Sequence, residues 1–106
     1  MTYRIDFAPE AEEQLAEIYA YVAARASPDI ASNYAAAIVA SCEGLQLFPH
    51  RGTARNDLRP GLRLTHFKGR TVIAYAVDDI ELRVTILGVY YGGQDHESAL
   101  RAEEEH

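Results

Sequence analysis

The sequence has one cysteine, one methionine and no tryptophan in 106 residues. A lone Cys42 excludes an internal disulfide, so the fold does not depend on oxidation. His50, His66, His96 and His106 are scattered and share no metal-ligand spacing with one another or with the cysteine, so neither a metal nor any other cofactor is expected. No stretch approaches the roughly 20 apolar residues that a membrane span needs. The opening Met1-Thr2-Tyr3-Arg4-Ile5-Asp6 lacks the apolar run of a secretory signal, and the expectation is a cytoplasmic protein that does not touch membranes. Repeats and linkers are also missing, and the only biased stretch is Glu103-Glu104-Glu105. The length suits one domain spanning residues 1–106.

Positive charge is scarce everywhere except in one place. The net charge is −6, yet residues 49–70 carry Arg51, Arg55, Arg59, Arg63, Lys68 and Arg70 against Asp57 alone. Residues 1–48 hold Arg4 and Arg25 against seven acids, and residues 71–106 hold Arg83 and Arg101 against eight. A basic belt on an acidic protein attracts an anionic partner, an acidic peptide or a nucleic acid. The acidic remainder argues against general binding of nucleic acid, and no sequence-specific nucleic-acid binding is expected of the chain alone.

Apolar periodicity supplies the elements. Tyr3-Arg4-Ile5-Asp6-Phe7 alternates as a half-buried strand does. Pro9 suits a first helical turn, and Glu10, Glu12 and Glu13 suit the positive end of a helix dipole. Ala11, Leu15, Ile18, Tyr19 and Val22 then form one stripe, which predicts a helix over about 9–25. Ser27 as N-cap and Pro28 start a second helix, with Ile30, Tyr34, Ala37, Ile38, Ser41, Cys42 and Leu45 inward. The short break between them predicts an αα-hairpin. Phe48-Pro49 ends the second helix, and Pro49 to Pro60 reads as a long loop. Residues 62–67, 71–77 and 82–91 are strand-like, with short turns at Lys68-Gly69-Arg70 and Asp78-Asp79, so they form an antiparallel meander. Tyr90 and Tyr91 must point to opposite faces of the last strand. Asp95 to about Glu104 can form a short charged helix.

The expected architecture is α+β in the order β-α-α-β-β-β. The N-terminal strand and αα-hairpin pack on one face of a small, mainly antiparallel sheet, and a short C-terminal helix follows. The other face is expected to be open and rimmed by the basic loop.

This order, with the strings inside it, resembles the ParE/RelE toxin superfamily of type II toxin–antitoxin systems. The strings are Phe7-Ala8-Pro9-Glu10-Ala11 entering the first helix, Leu47-Phe48-Pro49 with Arg51-Gly52 after the second, and Leu58-Arg59-Pro60-Gly61-Leu62-Arg63. Gly69-Arg70, Ile73-Ala74-Tyr75-Ala76-Val77 and the closing Ile86 to Asp95 complete the likeness. RelE-like members cleave mRNA on the ribosome with cations converging on one phosphate. Relative to them, Val72, Tyr91 and Gln94 stand where an arginine, a histidine or basic group, and another arginine are usual. The resemblance therefore implies the ParE-like branch: a toxin that binds a protein target, DNA gyrase, with no catalytic residue, and that is neutralised by a cognate antitoxin with an acidic C-terminal tail. It implies target or partner binding by Arg59, Arg63, Lys68, Arg70, Tyr91 and Gln94; the same cations could instead solvate a sheet edge. A RelE-like mRNA endonuclease and a degenerate, antitoxin-binding decoy are the alternatives. Tyr75 and Cys42 are expected in the core.

Overall fold

A computed structural model describes residues 2–92 and 96–104; Gly93, Gln94 and Asp95 lie outside the described residues. The elements are β1 (Arg4–Phe7), α1 (Pro9–Arg25), α2 (Pro28–Glu43), a 3-10 turn at Gly44–Gln46, β2 (Thr53–Ala54), β3 (Leu62–Phe67), β4 (Thr71–Asp78), β5 (Arg83–Tyr91) and α3 (His96–Glu104).

Both helix starts are built as their residues dictate. Ala8 is extended and Pro9 occupies the first helical turn, with Glu10 and Glu12 beside it and Arg25 in the last turn. The Ser27 hydroxyl accepts the Ile30 N–H at 3.1 Å, and Pro28 follows it into α2. Two residues separate the helices, which fold back on each other as the periodicity predicts. Two stripe residues are nevertheless turned outward: Tyr19 is 38% exposed and Ile30 is 54% exposed. Each sits at the margin of its stripe, where a shift of some tens of degrees carries a side chain past the contact.

The five strands form one mixed sheet in the order β1-β5-β4-β3-β2. β1 lies parallel to β5, and the other neighbours are antiparallel. The long loop is not entirely irregular, because Thr53 and Ala54 pair with Leu64 and Arg63 as β2. α1, α2 and the 3-10 turn cover the first face. Ala11, Ile18, Ile38, Cys42 and Leu45 pack there on Ile73, Tyr75, Val84, Ile86 and Val89. Burial pushes the Cys42 thiol up to about 12, so it behaves as a small apolar side chain.

An irregularity in β5 sets which tyrosine faces where. Ala74 pairs with Gly88 but Tyr75 pairs with Ile86, so Leu87 is an extra residue, a β-bulge. Val84 and Ile86 face the helices before it, and Val89 does so after it. Tyr91 consequently joins the helix side and Tyr90 the opposite side. Gly88 is tied to that arrangement: a Cβ there would lie 2.6 Å from the Tyr90 hydroxyl and 2.8 Å from its Cζ.

The second face is not open across its centre, contrary to expectation. Leu58 from the loop and Leu100 from α3, both fully buried, pack on Leu62, Leu64, Ala74 and Tyr90. The physical reason is simple: β3, β4 and β5 present apolar residues on this side as well, and two leucines remove them from water.

Candidate partner-binding surface

The basic belt divides once it is folded. Arg55 grips Asp57 through two parallel bonds, Nε to Oδ1 at 2.9 Å and Nη2 to Oδ2 at 2.8 Å, and reaches Glu97 of α3 at 3.2 Å. Those bonds hold the Asp57 carboxyl at about 2, well below the carboxylate range, and raise Arg55 further. Arg59 donates to the Leu100 carbonyl at 3.2 Å. Arg63 donates to the carbonyls of His50, at 2.9 Å, and Gly52. Three of the six cations therefore fasten the loop, Arg55 and Arg59 to α3 and Arg63 to the sheet.

The loop is fixed from beneath as well. Tyr75 is fully buried and its hydroxyl accepts the Gly52 N–H at 2.9 Å; burial raises its pKa, against the pull of Arg63 and Arg51. A Cβ on Gly52 would lie 2.8 Å from the Leu64 carbonyl oxygen, so only glycine fits that crossing. Nearby, Asp79 accepts from Tyr3 at 2.6 Å and bonds His50 at 2.8 Å. These two bonds lower the Asp79 pKa, the Tyr3 bond contributing most, and the bond to Asp79 raises that of Tyr3.

Lys68 and Arg70 are different. Phe67 to Arg70 forms a tight turn in which Lys68 and Gly69 both have positive φ, 52° and 73°, and the Arg70 N–H bonds the Phe67 carbonyl at 3.3 Å. Phe67 pairs with Thr71, so the connection is a three-residue loop that carries a reverse turn at its start. It leaves both cations exposed at the β3–β4 tip, and neither has an ion pair among the described residues. Beneath them runs a row of edge-to-face rings. Phe67 meets Tyr34 at 5.5 Å, Tyr34 meets Tyr91 at 5.8 Å, and Tyr91 meets Tyr21 at 5.5 Å. Lys68 lies 5.6 Å from the Phe67 ring, Arg70 5.8 Å from Tyr91, and Arg25 3.8 Å from Tyr21. A cleft of about 320 Å³ opens beside the row, lined by Gln14, Glu17, Ile18, Tyr21, Arg70 and Tyr91 among others.

Of the residues singled out in the sequence, the fold thus brings Lys68, Arg70 and Tyr91 to one exposed surface and places Arg59 and Arg63 elsewhere. Gln94 lies outside the described residues. Sequence reasoning missed Tyr21, Arg25 and Tyr34 as parts of this surface. The four-residue spacing of Tyr21 and Arg25, which puts them on one helix face, was the available signal. Among the described residues no cluster of His, Cys, Asp and Glu could hold a metal, and no helix is long and apolar enough to cross a membrane.

Residues 5–96 match the family model described as the ParE toxin of the type II toxin–antitoxin system parDE. The chain belongs to the ParE toxin family. Among solved structures, the chromosomal ParDE toxin–antitoxin system of P. aeruginosa is similar at a TM-score of 0.73 and 20% identity, over 86% of this chain and 97% of that one. The RelBE2 toxin–antitoxin complex of Mycobacterium tuberculosis gives 0.66 and 24%, over 86% and 99%. A free E. coli RelE mutant gives 0.68 and 13%, over 98% of each chain. At these identities the likeness is one of fold. No curated protein sequence matches.

Proposed function

We infer that this ParE-family toxin acts by binding a protein target, DNA gyrase, rather than by cleaving RNA. The observation that carries the reading is the division of the basic belt. A ribonuclease of this fold class must converge cations on a single phosphate in an accessible site. Here Arg55, Arg59 and Arg63 hold the protein's own loop and last helix. The centre of the second face is apolar and lies beneath Leu58 and Leu100. What reaches the surface is a half-buried aromatic row, with Tyr21 exposed at one end, edged with cations, a surface suited to protein recognition. The same surface fits a cognate antitoxin with an acidic C-terminal tail: acidic side chains would meet Lys68 and Arg70, and an apolar one would enter the cleft beside Ile18, Tyr21 and Tyr91. Gln94 is proposed as a further contact.

Inducing the protein in cells while mapping gyrase–DNA breaks and mRNA ends tests the reading. Trapped breaks with an SOS response and intact mRNA are expected; codon-periodic cleavage within minutes would sink it. One observation keeps the endonuclease reading as the second choice. His66 and Tyr90 flank Val72 in register across the second face, and His96 lies 6.0 Å from the Tyr90 ring. If that reading holds, Tyr90→Phe abolishes mRNA cleavage. A toxin inactive in both assays that still binds its antitoxin would be a decoy.

A further inference from the structure

β1 is a sheet edge, and its side-chain order is complementary to itself when one copy is read backward. Tyr3-Arg4-Ile5-Asp6-Phe7 runs aromatic, cation, apolar, anion, aromatic. The Arg4 and Ala8 N–H groups bond the carbonyls of Leu82, just before β5, and of Ile86 within it. The alternation of a strand then turns the backbone groups of Tyr3, Ile5 and Phe7 away from β5. The Tyr3 N–H bonds the Gln46 carbonyl at 3.1 Å. Among the described residues the outward N–H groups of Ile5 and Phe7 have no partner.

We propose that β1 is a self-association edge whose occupant is β1 of a second copy of this chain, antiparallel and centred on Ile5. A two-fold axis there sets Ile5 against Ile5 of the second copy, with two reciprocal backbone hydrogen bonds. The Gln46 carbonyl already holds the Tyr3 N–H, so the pairing stops short of Tyr3 and Phe7 and rests on these two bonds. Arg4 of each copy falls opposite Asp6 of the other. These are non-hydrogen-bonded positions, where facing side chains approach most closely. Within one chain Asp6 already bonds Arg4 at 3.1 Å and lies 3.3 Å from Arg83, so its carboxylate is held near the position a second Arg4 must reach. Charged residues on an edge ordinarily repel an incoming copy. Here their order does the reverse, because each charge meets its opposite. The strand is only four residues long, so the contact is small, and a weak, concentration-dependent dimer is expected rather than an obligate one.

Sedimentation equilibrium of the full chain over a wide concentration range, with two charge reversals, tests this. The wild type is expected to associate as concentration rises. Arg4→Asp sets acid against acid across the axis and Asp6→Arg sets cation against cation, so each variant alone is expected to remain monomeric. Mixed in equal amounts, the two variants restore both facing pairs, and the mixture is expected to associate as the wild type does. Recovery in the mixture also shows that both variants are folded. A wild type that stays monomeric throughout overturns the proposal, as does association that neither reversal affects. Two folded single variants whose mixture stays monomeric overturn it too. So does a β1 edge that pairs only with a strand donated by a different protein.

Discussion

Arg63 and Arg70 lie seven residues apart in one basic belt, yet they do opposite things. Arg63 turns into the loop and donates to the carbonyls of His50 and Gly52. Arg70 stands exposed at the β3–β4 tip beside the Tyr91 ring. Arg55 and Arg59 behave as Arg63 does, and Lys68 as Arg70 does. Composition registers all five as one patch of charge. The fold separates a half that builds the protein from a half that is available to something else. Charge density in a sequence is therefore a statement about attraction only after internal acceptors have been counted. Backbone carbonyls are such acceptors, and they cannot be counted from residue types.

The largest expected effect is on the building half. Leu58 is fully buried where the loop meets the second face, so Leu58→Ala is expected to lower stability by about 2–5 kcal/mol in urea unfolding. Leu47, eleven residues earlier and 68% exposed, is the control; its alanine variant is expected within about 0.5 kcal/mol of wild type. Equal losses would show that the loop is not organised around Leu58. Next in size is Arg63→Ala, which leaves two carbonyls without their donor and is expected to cost about 1–2 kcal/mol. Lys68→Ala and Arg70→Ala are expected to change stability by about 0.5 kcal/mol or less. A destabilising Arg70 variant beside a neutral Arg63 variant would reverse the division.

Much of this architecture is legible in the sequence, for reasons that name particular residues. Pro9, Pro28 and Ser27 act within one helical turn, so both helix starts could be read from neighbours alone. Lys68-Gly69 and Asp78-Asp79 are local in the same way; Asp78 takes the Ile80 and Glu81 N–H groups, each at 3.0 Å. The bulge at Leu87 could not be read, because the alternation of Arg83-Val84-Thr85-Ile86 runs into Leu87-Gly88-Val89-Tyr90-Tyr91, where no polar residue marks either face and the phase is lost. The closure of the second face was hidden differently. Leu100 is the one large apolar residue in the charged stretch His96–Glu104, too little for a periodic signal, and its burial depends on Leu58 arriving from 42 residues away. Of the surface itself, Lys68, Arg70 and Tyr91 could be named, but their ring neighbours on α1 and α2 could not. Those contacts exist only once the helical hairpin lies on the sheet.

The exposed half should show itself in binding. Arg70→Glu places an acid where an acidic antitoxin tail is proposed to dock, and a loss of affinity of about tenfold or more is expected, shrinking as salt is raised. Calorimetric titration with the cognate antitoxin at two salt concentrations measures it. An unchanged affinity would remove the β3–β4 tip from the proposed interface.

The smallest effect distinguishes the halves by pH. Arg55 holds Asp57 at about 2 in the folded chain, against about 4 for an unperturbed aspartate. A folded-state pKa lowered in this way contributes stability that is complete above the unfolded value and is lost as pH falls through the folded one. Stability is therefore expected to decline between about pH 4 and pH 2, and Asp57→Asn should flatten part of that decline. The Arg55–Asp57 pair is partly in solvent, so the change is small, and the pH slope of the variant against wild type is the quantity to compare. Lys68 and Arg70 have no carboxylate partner among the described residues, so replacing either with glutamine should leave the acid limb unchanged. An acid limb that follows Arg70 and ignores Asp57 would mean that the tip, not the loop, carries the internal ion pairing.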